Sequence, residues 1–209
     1  MWQALYEELK DDGFVIVAAA QDSGGEAAAG PFYDEAGVTF TALIDATHAV
    51  TALYGMVNVP TGVWIDEQGR IVRPPEVAYA EPIAFADQTG GHPRYADAVR
   101  DWVRNGAQSI YVVPPDELRR RLRRPASDRL RADAHFQLGV YLHGQGDDGA
   151  ARRHWEIAQR LDPDNWNYHR QDWAFRGDEG KGLWRKKFDA LAGRPYYEPV
   201  DLPTPRDHR

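Results

Sequence analysis

No residue of this chain is cysteine. That absence excludes a disulfide framework, a cysteine-ligated zinc site and a thiolate nucleophile, since each needs sulfur. Nor does any stretch approach the roughly 18 to 20 continuous apolar residues of a membrane-spanning helix. The residues after Met1 follow an interrupted helical pattern in place of a charged-then-apolar leader, so the expectation is a cytoplasmic protein with no membrane partner. The seven histidines form no His-Glu-x-x-His or other paired metal-ligand spacing. No Gly-x-Ser-x-Gly elbow is present, and Gly24-Gly25 is too short for a phosphate-cradling loop. No catalytic residue, metal or cofactor is expected.

The formal net charge of -7 argues against nucleic acid as a partner, although a local basic patch would survive that average. One such patch exists, Arg119-Arg120-Arg121-Leu122-Arg123-Arg124. It reads as the solvated face of a linker helix starting near Pro115, with phosphate or an acidic partner as the alternative.

What is present is enough for a buried core: 209 residues, 43% hydrophobic and 11% aromatic. Trp2, Leu5, Tyr6 and Leu9 fall at helical spacing, and Gly13 suits a left-handed cap. Residues 14–20 (FVIVAAA) form an apolar run of strand length that predicts a strand buried on both faces. Residues 24–30 are small and read as flexible, with a short helix over 31–37. A second strand is expected over 40–45, then a helix over 48–56, capped near Thr47, with Val50, Leu53 and Tyr54 inward. Residues 62–67 and 70–73 flank Gln68-Gly69 as an antiparallel hairpin. The proline-containing stretch 74–93 reads as irregular and 95–103 as an amphipathic helix.

This order of elements, with WQALYEELK at 2–10, Val59-Pro60-Thr61, and GVWIDEQGRIV at 62–72, resembles the later part of a thioredoxin core. Over residues 1 to about 80 it is similar to the ResA/TlpA-like, AhpC/TSA-type redoxins. The resemblance implies a thiol–disulfide exchange fold in which Val59, Pro60 and Thr61 form the cis-proline loop, a backbone edge that binds an extended polypeptide. The proline by itself is equally compatible with the start of an edge strand, where a missing donor does no harm. In that family a strand and a Cys-x-x-Cys turn precede the first helix, and this chain has neither. A subgroup with a Trp-Ala-x-x-Ser-x-x-Tyr signature in place of the cysteines resembles it further. Without the central strand, either the sheet carries a gap with unpaired backbone groups or the remaining strands close up differently.

The second half follows a different spacing. Leu138-Gly139, Ala151, Trp155, Ala158 and Pro163 fall where a tetratricopeptide (TPR) pattern places Leu-Gly, small, aromatic, small and proline. His135 and Leu142 depart from it, standing where larger aromatics are usual. One such hairpin needs something to dock on, and Trp166, Tyr168, Trp173, Phe175, Trp184 and Phe188 offer that surface. The tail from Arg194 carries four prolines and reads as extended or disordered.

The combined expectation is an α/β chain. A thioredoxin-like mixed sheet lacking its first strand occupies 1–106, a linker and basic helix 107–126, a TPR-like extension with capping helices 127–193, and an extended tail 194–209. Function is expected to be non-catalytic binding of a protein or peptide, with self-association through an unpaired strand edge also open. The alternatives are a thiol–disulfide oxidoreductase whose motif lies upstream of Met1, and a TPR-type adaptor.

Overall fold

The computed structural model describes residues 2–80, 91–122 and 126–204, and the molecule is a mixed α/β fold. Helix α1 (Trp2–Leu9) buries Leu5 and Leu9, one turn apart on one face. A 3-10 turn over Lys10–Asp12 ends at Gly13, whose φ of 84° is left-handed and redirects the chain into β1 (Val17–Ala20). Strand β1 pairs in parallel with β2 (Thr41–Ile44), Val17 opposite Thr41 through Ala20 opposite Ile44. The crossover between them is α2 (Glu26–Ala36). Helix α3 (Ala49–Tyr54) follows, and β3 (Thr61–Ile65) then turns back as β4 (Ile71–Val77).

The β3–β4 turn is made by Asp66. Its Oδ1 accepts the backbone N–H of Gln68 at 3.0 Å and of Arg70 at 2.9 Å, while Gly69 takes a φ of 74°. Strand β4 runs through Pro74 and Pro75, so the irregular stretch expected from residue 74 begins later. Its remainder over 81–90 lies outside the described residues.

The expected single mixed sheet is instead two separate two-stranded ladders, one parallel and one antiparallel. Neither β1 nor β3 has a second strand partner among the described residues. The first strand also departs from expectation: no residue of β1 is buried, Val17 is 63% exposed and the preceding Val15 70%. An apolar run shows that a strand can be covered on two faces, and here nothing among the described residues covers the outer one. Two further corrections concern helices. Helix α2 begins before Pro31, taking in the Ala27-Ala28-Ala29 stretch read as flexible, because alanine is the strongest helix former. In α3, Leu53 points outward at 79% exposure, and Thr51 is the buried residue.

Helix α4 (Tyr95–Asn105) packs Tyr95, Ala98 and Val99 against Trp64 and Val77. Trp64 lies between the ring of Trp102, stacked at 4.9 Å, and Tyr95, whose hydroxyl accepts from Trp64 Nε1 at 2.9 Å. Arg73 is fully buried beneath this layer. Its guanidinium pairs with Glu76 and donates to the carbonyls of Tyr111 at 2.8 Å and Asp201 at 2.7 Å. Burial pushes the Glu76 carboxyl up, with Arg73 pulling the other way. Helix α5 (Pro115–Arg121) carries the basic run, and Arg119, Arg120 and Arg121 pair with Asp116 and Glu117; Arg123 and Arg124 lie outside the described residues.

Helices α6 (Ser127–Gly144) and α7 (Asp148–Leu161) form a hairpin. Asp147 caps α7 by accepting the N–H of Ala150 at 2.9 Å. Gly139 sits under the indole of Trp155, and a Cβ there would lie 2.4 Å from Trp155 Nε1 and 3.1 Å from the Ala151 carbonyl oxygen. Helix α8 (Trp166–Ala174) is two-faced. Tyr168 joins Phe136, Ala151, Trp155 and Ala158 in the hairpin core, whereas Trp166 joins the core around Trp64, Val77 and Tyr95. Helix α9 (Leu183–Asp189) lays Trp184 and Phe188 against the same core. The tail is neither disordered nor loose over its described part: Tyr196, Tyr197, Val200 and Leu202 are all buried in that core. Prolines exclude helix there, but they leave alternate side chains free to pack.

Two substitutions test these contacts. Gly139→Ala drives a methyl into a buried indole and should cost about 1 to 3 kcal/mol, read as a lower urea midpoint with the same slope. Tyr196→Phe removes the hydroxyl that accepts from Arg170 and from Trp184 Nε1 at 3.1 Å and donates to Asn58 Oδ1 at 3.2 Å. Stranding those partners should cost about 1 to 3 kcal/mol in the same measurement.

Candidate functional site

The loop between α3 and β3 is where the two ladders and the C-terminal helices converge. Asp45, just past β2, organises its approach. Its Oδ1 accepts the N–H of Ala49 at 3.0 Å and its Oδ2 that of Val50 at 2.7 Å, filling the N-terminal donors of α3. Gln21 Nε2 also donates to Oδ2 at 3.0 Å, tying in the end of β1. Burial opposes ionisation of Asp45, yet the donors from Val50, Gln21, Ala49 and Thr47 together hold its carboxyl below the ordinary range.

His48 precedes α3 with a left-handed φ of 57° and is 2% exposed. Its tautomer follows from its neighbours. The backbone N–H of Ser23 can only donate, and it donates to Gln171 Oε1 at 3.0 Å, which fixes the amide oxygen on that side. The same oxygen lies 2.7 Å from His48 Nε2, so Nε2 carries the proton and Nδ1 is the bare nitrogen, buried and without a partner among the described residues. The ring meets Phe136 of α6 edge-to-face at 5.0 Å, linking α3 to the helical hairpin. Burial pushes the His48 pKa down, against the pull of Gln171, Asp45 and Asp22.

The Val59–Pro60 peptide bond is cis. Among the three loop residues expected to contact a partner, Pro60 is exposed, and Val59 and Thr61 are half-buried. The loop's polar groups are largely spoken for from within. Val57 O accepts the N–H of Trp166 at 2.7 Å, and Met56 O accepts Asn167 Nδ2 at 3.1 Å. Asn58, 1% exposed, turns its Oδ1 to the N–H of Val59 at 3.0 Å, and Thr61 Oγ1 donates to Asn58 O at 2.6 Å. The Tyr197 hydroxyl donates to Val59 O. Burial pushes the Tyr197 phenol up, so it stays a donor at neutral pH. The backbone of Val59 is thus satisfied by the chain's own Asn58 and Tyr197.

Beside the loop lies a cavity of about 200 Å³, lined by the end of β1, His48, Val59 and α8. Arg170, Gln171 and Asn167 reach it from α8, facing Gln21 and Asp22. Sequence reasoning singled out none of these. Their signal is long-range, His48 meeting Gln171 across 123 positions, and no local spacing carries it.

The residues expected at the repeat-like hairpin divide. Gly139, Ala151, Trp155 and Ala158 come together in its core, whereas Leu138 is 40% exposed. Pro163 lies past α7, and its carbonyl accepts His169 Nε2 at 3.1 Å and Lys187 Nζ at 2.7 Å. No group of three or more metal-ligating side chains is found among the described residues.

Two histidines, the buried His48 and the half-buried His169, set an acid response. His48 and His169 both have lowered pKa values, His169 falling from 6.5 to about 4 through burial and the Lys187 charge. A depressed folded-state pKa means the unfolded chain binds the proton more readily. Their stabilising share is therefore complete above about 6.5 and is lost as pH falls towards 4. The decline in urea midpoint over that interval should flatten in His48→Asn, a side chain that tolerates the left-handed backbone, and in His169→Gln. Comparison of the chain with protein-family models, with curated proteins and with solved structures returns no match.

Proposed function

We propose that the protein is a thioredoxin-like, non-catalytic module that binds an extended polypeptide by strand addition. The observation carrying this reading is the split between the ladders. Strands β1 and β3 each keep an edge unpaired among the described residues, and Gln21 and Asp22 just past β1 line one cavity with Val59, two residues before β3. An unpaired edge offers alternating N–H and C=O groups to any extended chain, which supplies affinity through its backbone and specificity through alternate side chains. Exposed Val15, Val17, Phe32 and Leu43 beside β1 and β2 give such a strand apolar surface to cover. Dithiol exchange is not available to these residues, because exchange requires a thiol and the chain has no cysteine. Since Tyr197 holds Val59 O, the docking edge is β3 from Thr61 onward, and the Val59-Pro60 loop sets where that edge begins.

A second reading, a helical adaptor, is favoured by one feature: Leu130, Leu138 and Tyr141 are exposed on one side of α6.

Random peptides displayed on phage and enriched on the wild-type protein separate the two. Under strand addition, N-methylation of alternate residues in an enriched peptide should weaken binding about three- to tenfold for each lost hydrogen bond, in one parity only. Pro60→Ala should weaken it too. Affinity unaffected by methylation but abolished by Tyr141→Asp would transfer the function to α6.

A further inference from the structure

We propose that the cavity between the end of β1 and α8 binds a small free α-amino acid, its carboxylate on the Arg170 guanidinium and its ammonium towards Asp22. The starting point is an imbalance of charge. The other half-buried arginines that line helix contacts meet carboxylates: Arg100 with Glu8, Arg129 with Asp162, Arg176 with Asp172. Arg170, also half-buried, forms no ion pair among the described residues. Its hydrogen bond goes to the phenol of Tyr196, a neutral group, and its Nε is buried with no partner among the described residues. A guanidinium in this condition favours a carboxylate, which it can hold through two parallel N–H donors.

The rest of the lining narrows the ligand. Gln171 is 4% exposed; its oxygen is committed to Ser23 and His48, and its amide nitrogen has no acceptor among the described residues. That nitrogen is a second donor beside Arg170. Across the cavity Asp22 uses Oδ1 for the N–H of Gly24 at 2.7 Å and makes no ion pair among the described residues. A simple anion would be repelled by Asp22 and a simple cation by Arg170, so the two charges together select a molecule bearing both signs. His48 adds no third charge, because burial keeps it neutral. Size sets the upper bound. At about 30 Å³ per water, the cavity of about 200 Å³ holds about seven waters, below the roughly 300 Å³ at which drug-sized ligand sites begin. Alanine, serine and threonine match that space, and tryptophan does not.

Calorimetric titration of the full chain at neutral pH with glycine, alanine, serine, threonine and tryptophan, and with acetate and methylammonium, tests this. At least one of the four small amino acids should bind saturably, with tryptophan, acetate and methylammonium each at least about tenfold weaker. Arg170→Gln and Asp22→Asn should each weaken that amino acid by about tenfold or more. Arg170 also holds Tyr196, so Ala174→Phe serves as the independent variant: Ala174 is exposed at the cavity mouth, and the larger ring should block binding while the thermal midpoint stays put. Absence of saturable binding across the panel overturns the proposal. So does acetate binding as well as alanine, or retention of affinity in Ala174→Phe.

Discussion

The loop from Met56 to Thr61 depends on hydrogen bonds donated by residues more than a hundred positions away, and the rest of the molecule depends on that loop. Because the two ladders share no backbone hydrogen bond among the described residues, cohesion between the β1–β2 unit and the β3–β4 hairpin is supplied from outside the strands. Trp166, Asn167, Tyr196 and Tyr197 supply it. Each such bond is worth only about 1 kcal/mol net, but leaving a buried carbonyl unmet costs more. The C-terminal segment is therefore part of the α/β core, with Tyr196 set against the rings of Trp166, Trp184, Phe188 and Tyr197.

Helix α8 carries this arrangement because it has two buried faces. One turns Trp166 to the α/β core and the other turns Tyr168 to the helical hairpin. Between them its polar residues are placed with little freedom. Asp172 is 1% exposed and meets Arg176 at 2.6 Å and Gln159 Nε2 at 2.9 Å, while Gln171 holds Ser23 and His48. Asp172 and Gln171 are as deeply buried as Trp166 and Tyr168, so the helix's register is set by polar contacts as much as by apolar ones. The same register delivers an uncompensated guanidinium to the cavity wall.

How far the sequence foretold this depends on the range of the signal. Local chemistry was legible: Gly13 and Gly69 mark turns, and the hairpin stands on either side of Gln68-Gly69. Small residues opposite Trp155 foretold the close approach of α6 and α7. Errors arose where one residue type admits two readings. Ala27 to Ala29 between glycines looked like flexible chain and is helix. The prolines after Arg194 argued against regular structure and said nothing about packing, so the burial of Val200 and Leu202 was missed. At the site, Val59-Pro60-Thr61 stood out because proline is locally distinctive, whereas Arg170, Gln171 and His48 have ordinary neighbours and acquire meaning only by meeting.

The proposed strand edge and the proposed amino-acid cavity would not be independent of each other, since both lie where β1 and β3 stay unpaired among the described residues. Two paired strands would leave no room for side chains from α8 between their ends; separated, they expose backbone along their edges and a polar pocket at the Val59 end. The pocket wall is a guanidinium and a carboxylate that do not neutralise each other, and the edge beside it is backbone whose demand is for another chain. A strand laid along β3 towards Val59 would bring its terminal residue to that wall, where Arg170 and Gln171 meet a carboxylate and Asp22 repels one lacking an ammonium. On the two proposals together, free amino acid and extended chain would contend for the same end of the edge, and occupancy of the pocket by the first would shorten the edge open to the second.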